Sequence, residues 1–353
     1  MHVCGPPNES IYEFDNNYQI HLFVPLMISL FSVCRGRIPF VIRHFSRGVI
    51  RDALLPCESV VELSCEVYKH RGDVNYDQQR SPPMMMLHGL FGSKLNYRTV
   101  GRKISQLAKL EVKGLDFRNH GSSPHAIPLS YNALAGDVIH HIERHEDIDA
   151  IKRNDGLILL GHLMGAKVAM LIALQRPDLV SKLIVVDNSP IKQDLEAFVR
   201  PKLEGMCEIE RELEGTKAPN SAMWPRITLI LSKYVEDERE RFFLMSNLDV
   251  KGKVTASIPR RFRIPVLEFL QNDLALNVGD WPLNRQPSKP KFHKPVLIMK
   301  AKHSDFIDER GLKEFSNYFT QLKVDTFDTN HWIVANQPEE FVRSVVAFIE
   351  DKE

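Results

Sequence analysis

Five residues, Gly161-His162-Leu163-Met164-Gly165, sit where an apolar run, Leu157 to Leu160, gives way to helical text, Ala166 to Leu171. A nucleophile elbow of the form G-x-S-x-G holds one side chain on a strained strand-to-helix turn, and its glycines are needed where larger residues would strike the neighbouring strand and helix. Both glycines are present, and leucine stands in the serine position. Leucine cannot attack a carbonyl, so the frame of a covalent catalyst is written without its nucleophile. Other polar residues cluster where short apolar runs end. Met84 to Leu87 leads into His88-Gly89-Leu90-Phe91-Gly92-Ser93, and Leu183 to Val186 leads into Asp187-Asn188-Ser189-Pro190. Val296 to Met299 precedes His303-Ser304-Asp305-Phe306, and Val324 to Phe327 precedes Asn330-His331-Trp332. Open α/β folds place their chemistry at such strand ends. A general base needs an imidazole that reaches the nucleophile on one side and an orienting carboxylate on the other, and His331 is chosen as that imidazole.

Taken in order, these segments resemble the α/β-hydrolase superfamily, and Leu115-Asp116-Phe117-Arg118-Asn119-His120-Gly121-Ser122-Ser123 is similar to its D-x-R-x-H-G-x-S loop. The Val186 to Pro190 stretch and Phe243-Leu244-Met245-Ser246-Asn247-Leu248 resemble, more narrowly, the mitochondrial α/β-hydrolases of the abhydrolase domain-containing protein 11 group and, within them, the yeast ethanol acetyltransferases. The resemblance covers about residues 60 to 350. It implies a mostly parallel central sheet with helices on both faces and a helical cap inserted at about 190–294. It gives the backbone N–H groups of Leu90 and Met164 as an oxyanion hole. Because the superfamily runs nucleophile, acid, histidine along the chain, the acid lies downstream of the elbow: most members would take Asp305, and a smaller branch takes it one strand earlier, 24 residues past Leu163, at Asp187. The D-x-x-P context of Asp187 and the Ser-x-Phe-Ile pattern at Ser304 to Ile307 resemble that branch, so Asp187 is the first choice and Asp305 the second. Asp116 and Arg118 read as braces of their turn. The implied activity is acetyl transfer from acetyl-CoA to an alcohol, or to water, through an acyl-serine. Its partners would be a small acyl ester or thioester and an alcohol, with no bound cofactor and no metal.

The composition agrees. A chain of 353 residues with 43% hydrophobic content can bury one large α/β core with an inserted cap. A net charge of +1 leaves no electrostatic footprint for nucleic acid. Five cysteines without a C-x-x-C suggest reduced thiols rather than a disulfide framework or a zinc site. Residues 1–45 read as a leader outside the hydrolase domain of 46–353. Met27 to Arg51 carries Arg35, Arg37, Arg43, Arg47 and Arg51 with no acid, as mitochondrial transit peptides do, whereas Glu9, Glu13 and Asp15 precede it. Met27 is therefore an alternative start, and cleavage after Phe45 in Arg43-His44-Phe45-Ser46 would give a mitochondrial protein beginning at Ser46. The apolar run Ile20 to Cys34 is interrupted by His21 and Pro25 and is short for a membrane span, so no stable anchor is expected.

Leu163 leaves three readings open. The chain is a silent binder of acyl-CoA or of a protein partner; or a serine codon has changed by one base; or a CUG codon, which some yeasts read as serine, has been written as leucine. In the cap, Met245, Leu248, Phe262, Ile264, Pro265 and Trp281 read first as the cap's own core and second as the lining of an acyl or alcohol pocket. His141 and His145 have the spacing of metal ligands on a helix but lack a third, and a solvated helix face is the simpler reading. Opening strands are expected over 60–68, and helices over 96–107 and 130–146.

Overall fold

The computed structural model describes residues 59–68, 82–214, 220–248, 262–286 and 288–350. The leader, Met27 and the cleavage site at Ser46 lie outside the described residues. Seven strands form one sheet: β1 (Cys65–Val67), β2 (Met84–Leu87), β3 (Val112–Leu115), β4 (Leu157–His162), β5 (Val180–Val186), β6 (Phe292–Ala301) and β7 (Phe319–Phe327). Their order is β1-β3-β2-β4-β5-β6-β7, and only β1 runs antiparallel to its neighbour. A parallel sheet buries both faces, which is why its strands read as continuous apolar runs.

The two-residue side-chain period divides those runs between two cores. Met85, Leu87, Leu159, Leu183, Val185, Val296 and Ile298 face one cluster, and Met84, Met86, Ile158, Leu160, Ile184, Leu297 and Met299 face the other. Helices α1 (Arg98–Ala108) and α12 (Pro338–Ile349) cover the second face through Val100, Ile104, Phe341 and Val345. Helices α2 (Tyr131–His145) and α4 (Met164–Gln175) cover the first through Leu134, Val138, Val168 and Leu171. The short α3 (Ile148–Arg153), α10 (Glu309–Phe315) and α11 (Ile333–Asn336) connect strands at the rim.

Between β5 and β6 lies the cap, with α5 (Glu196–Glu212), α6 (Trp224–Leu231), α7 (Glu238–Met245), α8 (Val266–Gln271) and α9 (Leu274–Gly279). Its anchor is polar. The buried Lys167 ammonium of α4 donates to the carbonyls of Gly279 and Asp280 (both 3.0 Å), and the Tyr131 hydroxyl donates to Val278 O (2.7 Å). The Gln193 N–H donates to the same Gly279 oxygen (2.8 Å). A lysine satisfying the last carbonyls of a helix is favoured by the negative end of the helix dipole.

Two sequence expectations need correction. The opening segment is strand only at Cys65–Val67, because the Val61 N–H is taken by Asp137 Oδ1 (2.9 Å) and the Ser64 N–H by Ser123 Oγ (2.9 Å) instead of by a strand. The first helix begins at Arg98, after a 3₁₀ turn over Lys94–Tyr97.

Candidate functional site

Leu163 occupies a backbone that leucine does not choose. Its φ of 50° and ψ of −113° lie outside the regions open to a residue with a Cβ, between the end of β4 and the first turn of α4. The turn is tight because both glycines are needed: a Cβ on Gly161 would meet Gly165 O at 2.1 Å, and one on Gly165 would meet Leu87 O at 2.4 Å. The Leu163 N–H bonds Val186 O (3.0 Å), and its carbonyl accepts from Ala166 N (3.0 Å) and from Asn188 Nδ2 (2.9 Å). The elbow is thus built and braced irrespective of the side chain it carries.

Around it the structure brings together most of the residues chosen from sequence. Leu163, Leu90, Met164 and His331 line one cavity of about 570 Å³ under the cap. Among the described residues, neither the Leu90 nor the Met164 N–H donates to a protein acceptor. Met164 is the first residue of α4, so its N–H lies at the positive end of the helix dipole. Two fixed donors of this kind stabilise charge developing on a substrate oxygen without solvent reorganisation.

The loop bearing Leu90 is held by two buried histidines. The His88 ring accepts from Phe117 N at Nε2 (3.1 Å) and meets Gly89 O at Nδ1 (2.8 Å). His120 accepts from Phe91 N (3.3 Å) and meets Arg118 O at Nδ1 (3.0 Å). Because a carbonyl only accepts, Nδ1 carries the proton in both rings. Asp116 accepts from Lys94 N (2.7 Å), from the Lys94 ammonium and from Ser122 N (2.8 Å). Arg118 forks onto Asp137 at 2.6 and 2.7 Å, with both side chains fully buried. Asp116 and Arg118 therefore brace their loops and do not face the cavity.

Asp187 is placed as expected but partnered differently. Asp187 is fully buried just past the carboxyl end of β5, and its carboxylate accepts from Ser304 Oγ (2.6 Å) and Ala301 N (3.1 Å). Among the described contacts it has no hydrogen bond to His331, contrary to the expected pairing. The physical reason is that Ser304 and Ala301 already supply the donors that a buried carboxylate requires. Burial raises the Asp187 carboxyl to about 6 even so. Asp305 is exposed and makes no described bond to His331. The half-buried His331 ring packs against Phe198 (5.8 Å), Phe306 (6.1 Å) and Trp332 (4.9 Å). Burial, and then the Lys202 ammonium, push it down to about 4, so it is neutral at pH 7.

Several contributors escaped the sequence reading. His162 accepts from the Tyr97 hydroxyl at Nδ1 (3.0 Å) and donates from Nε2 to the backbone oxygen of His331 (3.1 Å), tying the elbow to the histidine loop. Ser304 holds Asp187, and its only sequence signal was the Ser-x-Phe-Ile spacing. Lys202 pairs with Glu240 (3.4 Å) across two cap helices, a match that no local spacing reveals. In the cap, Met245, Leu248, Phe262, Ile264 and Trp281 are core residues and do not line this cavity, while Pro265 faces a separate groove. The His145 and His140 rings lie against Glu62 at 2.8 and 3.4 Å, and no cluster among the described residues could hold a metal ion.

These buried imidazoles set a pH dependence. His162 is pushed down to about 4 and His120 to about 3 by burial, so the unfolded chain takes up these protons first as pH falls below about 6.5. Stability is complete above that value and declines towards pH 4, on the order of 3 kcal/mol for His162 alone. Asp187 acts in the opposite sense between about 4 and 6, because its raised value favours the protonated folded form, and it offsets part of the loss. Urea midpoints should therefore fall steeply from pH 7 to 4.5. A flat profile would mean that these rings are not held neutral.

Residues 82–209 match a family model described as the alpha/beta hydrolase fold. Ethanol acetyltransferase 1 of Wickerhamomyces ciferrii is 31% identical over 330 residues, covering 87% of this chain and 80% of that protein. An abhydrolase domain-containing protein of Schizosaccharomyces pombe is 32% identical, covering 76% of this chain and 93% of its own length. Among solved structures, a marine microorganism esterase superposes with a TM-score of 0.64 at 26% identity, covering 82% of this chain and 99% of that one. Among the described residues no helix is long and apolar enough to cross a membrane.

Proposed function

The chain belongs to the α/β-hydrolase superfamily and is related to its ethanol acetyltransferases, and from that premise we propose that its cavity is an acyl-transfer site arrested before the covalent step. In this reading acetyl-CoA is the acyl donor and an alcohol or water the acceptor. Position 163 is the nucleophile's place, His331 the base, Asp187 the acid, and Leu90 and Met164 the oxyanion donors. The observation that carries the proposal is Leu163 itself, held at φ 50° on a turn closed by two glycines that tolerate no Cβ. Strain of this kind costs on the order of 1–3 kcal/mol and gives leucine nothing in return, whereas it presents a nucleophile to the cavity.

With serine at 163, the hydroxyl would pass its proton to His331 as its oxygen bonds the acyl carbon, the carbonyl oxygen would take the negative charge towards Leu90 and Met164, and the thiolate of CoA would leave with that proton. An alcohol or water then repeats the sequence in reverse and releases an ester or an acid. The test is covalent labelling by a fluorophosphonate, read by intact-protein mass. The leucine chain should stay unlabelled and Leu163→Ser should gain one adduct. The second reading, a silent binder on the same fold, is favoured by the engagement of Asp187 with Ser304, and an unlabelled but folded Leu163→Ser protein would select it.

We also assign the protein to mitochondria, on the acid-free arginine-rich stretch from Met27 to Arg51. The protein from isolated mitochondria should begin at Ser46. A sequence starting at His2 would overturn the assignment.

A further inference from the structure

The cavity is larger than two-carbon groups require. Its volume of about 570 Å³ lies in the ~300–1,000 Å³ range that encloses a drug-sized ligand, whereas ethyl acetate has only a handful of heavy atoms. Much of the wall beyond the elbow is apolar, with Leu195 just before α5, Phe198 and Val199 from α5, Phe243 from α7, Val278 from α9, and Phe306, although Asn96, Asn188 and Asn336 also line the cavity. Water is poorly held along that apolar stretch, because an ordered water needs two to four polar partners. The charged groups at its wall are already engaged. Lys202 bonds Phe198 O, lies 3.4 Å from the Phe198 ring centroid and pairs with Glu240, and Arg239 donates to Asn336 Oδ1 (3.3 Å). Lys202 is thus no open socket for an anion, and Arg239 is exposed.

Resting on the acyl-transfer reading of this site, we infer that, besides the acetyl donor, the cavity takes an uncharged ester bearing one apolar chain of about six to eight carbons, as product or as alternative acyl donor. The ester group sits at Leu90 and Met164, and the chain runs along the aromatic and aliphatic wall of the cap. Leu163 makes this directly measurable, since a protein without a nucleophile binds such an ester without consuming it.

The experiment is equilibrium binding to the unmodified chain, followed by calorimetry and by the fluorescence of Trp332, which also lines the cavity. One series holds the acyl group at acetyl and lengthens the alcohol from ethyl to octyl. The other holds ethyl and lengthens the acyl group from acetate to octanoate. Each methylene moved from water to the wall should tighten binding about fourfold, so at least one six-carbon ester should bind on the order of 10²-fold more tightly than ethyl acetate. The series that shows the rise assigns the chain to the alcohol or to the acyl side.

Val278→Phe, which fills the wall, should move the optimum to a shorter chain. If that variant does not fold, the two series on the unmodified chain still decide. Affinity independent of chain length, tightest binding of ethyl acetate, or an unchanged optimum in folded Val278→Phe would overturn the inference. Its failure is separable from that of the acyl-transfer reading: a flat series with a labelled Leu163→Ser protein removes only the chain, and a steep series with an unlabelled one removes only the chemistry.

Discussion

Leu163→Ser should raise the esterase and acetyl-CoA thioesterase turnover of the purified protein on the order of 10³-fold or more, and adding His331→Ala should abolish the gain. Loss of a serine nucleophile costs about 10⁶ in turnover in a complete site. The expected recovery is smaller here. Burial and the Lys202 ammonium hold the His331 imidazole near 4, which keeps it neutral but makes it a weaker base than one paired with a carboxylate. The exchange itself is mild, because serine is the smaller side chain and leaves at most a small void in a turn that its glycines already shape. The measurement is steady-state turnover of both variants beside the leucine chain, with residue 163 confirmed by mass spectrometry. High activity in confirmed leucine protein would place the chemistry at another nucleophile.

Asp137→Ala should be among the most destabilising single changes. Arg118 and Asp137 are both fully buried, and removing the carboxylate leaves a guanidinium in the core with only the Pro128 and Ser59 carbonyls as partners. The Val61 N–H loses its acceptor in the same step. Breaking one side of a buried pair costs about 3–5 kcal/mol, a large share of the 5–15 kcal/mol that holds an ordinary domain together. Urea denaturation should show the midpoint falling with little change in slope. A loss below about 1 kcal/mol would mean that the pair is hydrated.

Much of this arrangement was legible in the chain because it is local. The elbow could be read from two glycines four residues apart, and the parallel sheet from apolar runs too uniform for a sheet with one wet face. The cavity position of His331 followed from its place after the last strand. What was not legible depends on distant partners. Nothing near Asp187 says that Ser304, 117 residues later, takes its carboxylate, and the cap's bulky residues carry no mark separating core from cavity wall. Trp281 and Phe243 look alike in sequence, and only the packing of the cap assigns one to the core and the other to the pocket.

The polar anchor of the cap has a mechanical consequence. The chain enters the cap past Gln193 and leaves it past Gly279, and the Gln193 N–H and the Lys167 ammonium both grip the Gly279 carbonyl. Entry and exit are thus knotted at one atom, against the helix that begins at the elbow. A Cβ at Gly279 would stand 2.3 Å from Gln193 O, so the knot closes only around glycine. The α7 end of the cap is fastened as well, since Arg239 donates to Asn336 Oδ1 (3.3 Å) and Asn247 Nδ2, two residues past α7, donates to Phe91 O (2.8 Å). The cap is therefore a roof tied down on two sides, and its wall residues keep fixed positions over the elbow.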